Sequence, residues 1–600
     1  MSELKTRDRV ADEYKWDLTT VFKSDEDWQK SFDALASSAQ DIKKYEGKLS
    51  ESSENLACCL LDREDLMVET YKLYVYANLK KDEDTANSVY QGMADKVSGL
   101  AVKCTSAVSF IEPEMIAMGQ DKVNTFIGEN DKLKIFGHQV DDLFRQQKHV
   151  LSADKEELMA KASEIGDAAY NIYGMINNAD MVFAKAKDEK GDEHEVTLGR
   201  LGSLMESTDR TLRKNVFYSG IDSYIARKNT IAEAYNFSVK NDLFKASVRN
   251  YESSLDAALS NFNIPKEIYK NLIDTVGDNL HLHHRYMELR KKCLNYDELC
   301  MWDMIVPMVE NADTFMNWED AKTNVTEGLA ALGKEYQDLV KKGFNEGWID
   351  VYENKGKRSG AYSWGSYGMP HPYVLMNYDD TISDMFTLAH EMGHALHSYY
   401  THENQPSVYG SYTIFLAEVA STVNEALLMN HLLNTTTDKT KYNYLLNYFI
   451  QQFIGTFFRQ TMFAEFEMTT HEMAEQGKPL NSESLNKAYY DLCKKHYGPG
   501  VVIDEKAAYS WSRVPHFYRA FYVYQYATGF AAAMAFSKKI REEGAPAVEK
   551  YLNLLKSGSK DYSINLLKEA GLDMTSPAPI KEALSIFEDL LDRFEKANFS

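Results

Sequence analysis

The amino-acid sequence predicts a mainly α-helical protein, and three observations carry that expectation. Proline is scarce, 12 in 600 residues, against an average share of about 5%, so little in the chain interrupts a helix. Apolar residues recur at helical spacing through most of the sequence. Only two stretches read as strands.

Between residues 55 and 110, Leu56, Leu60 and Leu61, then Leu66, Tyr71, Leu73 and Tyr74, recur at about one helical turn and predict a long amphipathic helix. Residues 181–198, MVFAKAKDEKGDEHEVTL, are two short β-prone runs around a charged turn at Glu189, Lys190 and Gly191. Residues 345–378 include WIDVYENKGKRSGAYSWGSYGMPHPYVLMNY, rich in Gly, Tyr and Val, and predict a second small ribbon. The aromatic segment 442–466 is long enough for a membrane span. Asn447, Gln451, Gln452 and Arg459 interrupt it, so it reads as a buried core helix. A soft boundary near residue 200 divides the chain into an N-terminal helical lobe, 1–200, and a catalytic region, 201–600. No repeat or low-complexity linker marks it.

Composition removes several classes of function. The net charge of −23 disfavours nucleic acid and anionic membrane as partners. No run of eighteen apolar residues is present, and the N-terminus is polar from its first residues, unlike a secretory signal. Six cysteines without CxxC pairs read as reduced thiols, which suits a cytoplasmic protein and leaves any metal to His and carboxylate ligands.

The chemistry concentrates in DMFTLAHEMGHALHSYY, residues 384–400. His390 and His394 are four apart, so on a helix they share one face about 6 Å apart and can converge on one ion. Glu391 projects beside them, where a general base for metal-assisted hydrolysis would stand. Asp379, Asp380 and Ser383 offer caps for this helix. His397 stands a further turn along, and Tyr400 occupies the place where some related motifs carry a third histidine. The better third ligand is Glu418 in FLAEVASTVNEALL, a carboxylate costly to bury without a cation. Glu425, on the same face of that helix, reads either as a partner that orients a ligand histidine or as a solvated helix charge. His281, His283 and His284 lack ligand spacing and read as surface or core-edge residues.

Three motifs in this order, HEMGHALH, FLAEVASTVNE and HFYRAFYVYQYATG, resemble the M3 family of zinc oligopeptidases, in particular its bacterial oligoendopeptidase F branch. The resemblance extends to WDLTTVFKSDEDW near the N-terminus and to FIGTFFRQTMFAEFE, and so covers nearly the whole chain. It implies an elongated, multi-helix zincin-type fold with a deep channel admitting short peptides and a small β-ribbon beside the zinc helix. It implies one zinc ion per chain on His390, His394 and Glu418, with Glu391 as base. His516 and the following tyrosines match the loop that hydrogen-bonds the tetrahedral intermediate, with Tyr524 preferred, then Tyr522, and Tyr518 in reserve. Tyr526 reads as core. The ribbon would let an extended substrate add as a strand, with Gly365 and Gly368 permitting close approach. The Gly-Pro-Gly at 498–500 reads as a flexible loop that lets the tyrosines swing.

The expected function is therefore hydrolysis of internal bonds in oligopeptides, with Glu391 assisting attack by a zinc-bound water. Two rivals remain open at this point. A zinc exopeptidase on a similar scaffold would grip a peptide terminus, with Arg459, Arg513 and Arg519 available. A non-catalytic peptide-binding protein with a structural zinc would need a closed site, usually of four ligands.

Overall fold

In the computed structural model, which describes residues 4–309 and 313–599, the apolar periodicity near the N-terminus becomes helix α1, Ser53–Glu83. Ser52 caps it by accepting the Asn55 N–H at 3.1 Å. Leu56, Leu60, Leu73 and Leu79 lie on its buried side. Helix α2, Ser88–Val108, follows from an Asn87 cap and packs along α1. Trp16, Trp28, Leu73, Tyr76, Tyr373 and Leu375 share one core cluster with them, each large side chain contributing about 2 kcal/mol or more by burial.

The chain divides into two compact units, each built from three separate stretches. The first comprises Met1–Lys148, Thr314–Thr435 and Ala533–Leu572; the second comprises His149–Asp313, Thr436–Ala532 and Asp573–Ser600. Packing thus groups residues far apart in sequence, where the sequence reading divides the chain linearly at residue 200.

In the first unit helix α3, Trp318–Gly328, precedes a three-stranded ribbon of β1 (Ile349–Asp350), β2 (Tyr362–Trp364) and β3 (Tyr373–Leu375). β3 is central, parallel to β1 and antiparallel to β2 with Ser363 opposite Val374. Val374 donates to the Trp348 carbonyl at 2.8 Å. Its backbone polar groups therefore serve β1, and those of Ser363 turn to the outer edge of β2. Helix α4, Ile382–Asn404, carries the HEMGH motif, and helix α5, Ile414–Thr435, carries Glu418 and Glu425. The cap of α4 is Thr381 rather than the expected Asp379, Asp380 or Ser383. Its hydroxyl accepts the Asp384 N–H, while the Asp384 carboxylate receives the Thr381 N–H in return.

In the second unit the predicted hairpin forms between Ala186–Lys187 and Glu193–His194. The aromatic segment is a core helix, Lys439–Gln452, continued through one π-helical turn at Phe453–Phe458 into Arg459–Glu475. Gly498 ends the helix Ser482–Tyr497 at φ +71°. A Cβ on Gly498 would lie 2.6 Å from the His284 ring, and one on Gly500 would meet the end of the Glu288 side chain. These glycines allow close packing. His283, expected at the surface or the core edge, is 3% exposed and stacks at 14° on Phe458. Among the described residues no helix is long and apolar enough to cross a membrane, and all six cysteines are unpaired.

Candidate metal centre

The i,i+4 spacing on α4 sets the His390 and His394 rings 4.8 Å apart, nearly perpendicular at 88°. Glu418 Oε2 on α5 is 3.6 Å from His390 Nε2 and 3.9 Å from His394 Nε2. One ligand atom from each of the three residues lies within 4.8 Å of the others, and among the described residues no other group of three meets that condition. These separations are too long for hydrogen bonds. They suit donors around a tetrahedral ion, which bonds of about 2.1 Å would hold roughly 3.4 Å apart. The site is made of two imidazoles and one carboxylate without a thiolate, a donor set that leaves a position open.

Two small residues bring the helices this close. A Cβ on Gly393 would lie 2.6 Å from Ser421 Cα and 2.7 Å from the Ala420 carbonyl, so only glycine fits where α4 crosses α5. Asn424, fully buried, donates to the Ala389 carbonyl at 3.1 Å and accepts the Tyr336 hydroxyl at 2.9 Å. It ties α5 to the residue just before His390. Neither role was read from sequence, although an asparagine inside an apolar helix is a signal that a buried partner awaits it.

Glu425 Oε1 lies 2.6 Å from His390 Nδ1. Burial opposes charge on that ring, but the hydrogen bond and charge of Glu425, with Glu391 and Glu418, outweigh it and hold the ring up to about 9. Burial, with the neighbouring His390 and His397, pushes His394 well below the ordinary imidazole range, against a hydrogen bond to the Ala417 backbone. Glu391 is 7% exposed. Burial pushes its carboxyl up to about 7; Glu418 and Glu425 add to this, while His390 and the Ser363 backbone N–H work against it. Its Oε2 is buried with no hydrogen-bond partner among the described residues.

His397 is fully buried and lies flat on Tyr412, centroids 3.6 Å apart at 10°, outside the cluster. Gly365 makes its close approach to Ser398 of α4, where a Cβ would sit 2.9 Å away, and Gly368 turns at φ +83°.

His516 and the tyrosines lie in the second unit. His516 is exposed on the turn Pro515–Tyr518, its ring parallel to that of Tyr522 at 3° and 6.3 Å. The Tyr522 and Tyr526 hydroxyls are 2.6 Å apart, both side chains half-buried. Tyr524 is 2% exposed and packs on Tyr269 at 5.0 Å. The reason is periodicity. A helix begins at Tyr524, so Tyr526, two residues on, leaves the core side that Tyr524 takes, and its hydroxyl meets that of Tyr522 from the preceding turn. The preference for Tyr524, and the core reading of Tyr526, are reversed on this packing. Tyr518 stacks on Tyr173 at 4.5 Å and reaches the Ile231 carbonyl.

Comparison with known proteins agrees with this geometry. Residues 203–586 match peptidase family M3, and residues 114–183 match the family described as oligopeptidase F. The chain is 46% identical to oligopeptidase PepF of Bacillus subtilis over 99% of its length and 89% of the relative's. It is 42% identical to group B oligopeptidase PepB of Streptococcus agalactiae, over 98% of each. The crystal structure of oligoendopeptidase-F from Enterococcus faecium superposes with a TM-score of 0.74 at 37% identity, covering 96% of this chain and 99% of that one. The chain belongs to peptidase family M3 and is an oligopeptide-cleaving metalloendopeptidase.

Proposed function

We propose that His390, His394 and Glu418 hold one zinc ion per chain, and that Glu391 is the general base for cleavage of internal peptide bonds. The observation that carries this reading is the meeting of two α4 imidazoles and one α5 carboxylate within 4.8 Å, with Glu391 buried beside them. When bound, zinc supplies Lewis acidity that polarises a carbonyl and lowers the pKa of water.

The remaining steps belong to side chains. Glu425 fixes the His390 ring so that Nε2 faces the cluster. Glu391 takes a proton from the attacking water and delivers it to the departing amine, a task suited to a carboxyl raised to about 7. His516 and Tyr522, with Tyr526 replacing Tyr524 as the second hydroxyl, donate hydrogen bonds to the developing oxyanion, each contributing about 3 kcal/mol. The parallel His516 and Tyr522 rings and the paired hydroxyls support this assignment. An extended peptide adds along the outer edge of β2, beside Ser363; main-chain pairing there gives little side-chain selectivity.

The proposed boundary between 1–200 and 201–600 is supported by the gap between the two family matches, at 183 and 203. Cytoplasmic location, and the exclusion of nucleic acid and membrane as partners, are supported by six unpaired cysteines and the charge of −23.

The test is digestion of an oligopeptide blocked at both ends, with and without a chelator, followed by mass spectrometry. Internal cleavage that stops with chelator and returns with one equivalent of zinc is expected. Cleavage only of unblocked peptides, or cleavage indifferent to chelator, overturns the reading.

A further inference from the structure

Glu467 lies on the helix Arg459–Glu475 and is completely buried. Two other deeply buried carboxylates are paired: Asp303 with Arg213, and Asp350 with Lys357. Among the described residues Glu467 has no such cation. Its Oε1 accepts the backbone N–H of Phe521 at 3.2 Å, and its Oε2 has no hydrogen-bond partner. Burial, with the like charge of Asp242 adding to it, pushes the carboxyl well above the ordinary range against the Phe521 bond. Burial thus favours the protonated form of this carboxyl. A methionine would fill this space without the desolvation cost of a carboxyl, so packing alone does not account for it. What an apolar residue cannot do there is accept the Phe521 N–H.

Phe521 is where the chain needs holding. Its φ is +56°, a left-handed conformation that costs a bulky residue about 1–2 kcal/mol. Its ring is 4% exposed and lies 4.5 Å from His471, one turn after Glu467 on the same helix. The His471 ring is itself fixed, through Nδ1 to the Glu467 carbonyl at 2.9 Å and Nε2 to Asp242 at 3.3 Å. One turn of helix thus grips both the amide and the ring of Phe521. That residue joins the turn bearing His516 to the helix that starts at Tyr524, and it immediately precedes Tyr522.

We propose that Glu467 is a positioning residue for peptide hydrolysis: by holding Phe521 in its left-handed turn, its carboxyl sets Tyr522 parallel to His516 and in hydrogen bond with Tyr526. The inference rests on the reading of Tyr522 as a donor to the oxyanion, and the experiment separates the two. Glu467→Met, Glu467→Gln, Tyr522→Phe and the double variant Glu467→Met/Tyr522→Phe are assayed as full-length zinc-loaded enzymes on an end-blocked peptide, with zinc content and melting temperature measured in parallel.

Glu467→Met is expected to lower kcat by about 10- to 100-fold with KM nearly unchanged and zinc content intact. Glu467→Gln, neutral and able to accept the same N–H, is expected to restore kcat to within about threefold. In the Tyr522→Phe background the methionine should cost less than about threefold, because it acts through a hydroxyl already gone. Undiminished kcat in Glu467→Met, or an equal loss in both backgrounds, overturns the inference while leaving the tyrosine assignment standing. Undiminished kcat in Tyr522→Phe overturns the assignment itself. If Glu467→Met does not fold, Glu467→Ala, which removes the acceptor without adding bulk, takes its place in the same comparison: a kcat loss that vanishes in the Tyr522→Phe background supports the inference, and no loss, or an equal one in both backgrounds, overturns it.

Discussion

His390 Nδ1 and Glu425 Oε1, 35 positions apart in sequence, are 2.6 Å apart in space. The contact joins α4 to α5 and leaves Nε2 of the same ring facing Glu418. Removing the carboxylate frees the ring to rotate, so Glu425→Ala should weaken zinc binding by about 10- to 100-fold. Competition with a chromogenic chelator measures this. Unaltered affinity would mean that packing alone orients the ring.

Glu391→Gln keeps the shape of the side chain and removes its capacity to carry a proton. Zinc content and melting temperature should stay at wild-type values while kcat falls by at least about 10²–10⁴-fold. Near-normal turnover in a zinc-loaded sample would take the base role from Glu391.

Gly393→Ala places a methyl group 2.6 Å from Ser421 Cα and 2.7 Å from the Ala420 carbonyl, both backbone atoms that cannot rotate aside. We expect a loss of about 1–3 kcal/mol from overpacking, and weaker metal retention because Glu418 moves with α5. Thermal melts and zinc content report the two effects. A protein that melts and binds zinc as before would show that the helices tolerate separation.

His283 gives the fold an acid limit. Burial, then the neighbouring His496, pushes its ring down to about 3, whereas in the unfolded chain it titrates near 6.5. As pH falls below about 6.5 the unfolded chain takes up a proton that the folded one refuses, and stability drops by roughly 1.4 kcal/mol per unit until about 3. Above about 6.5 the contribution is whole. His283→Phe keeps a flat ring on Phe458 and should narrow the stability difference between pH 7 and pH 5 by about 2 kcal/mol. Urea midpoints at the two pH values measure it; an unchanged difference would assign the acid sensitivity to other groups.

The meeting of His390, His394 and Glu418 was legible in part because helical periodicity is local: four residues of spacing determine where His390 and His394 point. Glu418 stood out as a carboxylate among apolar neighbours, costly to bury alone. Gly393 and Asn424 were not legible, because their roles depend on which residues α5 presents at the crossing, and that is a tertiary fact. The tyrosines failed for a narrower reason. Tyr522, Tyr524 and Tyr526 alternate by two, and their sides depend on where the helix begins; with the start at Tyr524, Tyr522 belongs to the preceding turn, whose path brings its hydroxyl to Tyr526. His283 was misread because nothing in His281–Leu282–His283–His284 tells which ring meets Phe458.

The crossing at Gly393, with Asn424 bonded to the Ala389 carbonyl, supports the architecture of the centre through protein contacts of its own. Reactivity is then a replaceable part on a permanent mount. Cobalt or manganese exchanged into the folded protein would occupy the same three-donor seat, and rate differences among the substituted enzymes would report the ion's own chemistry, undistorted by a rearranged scaffold.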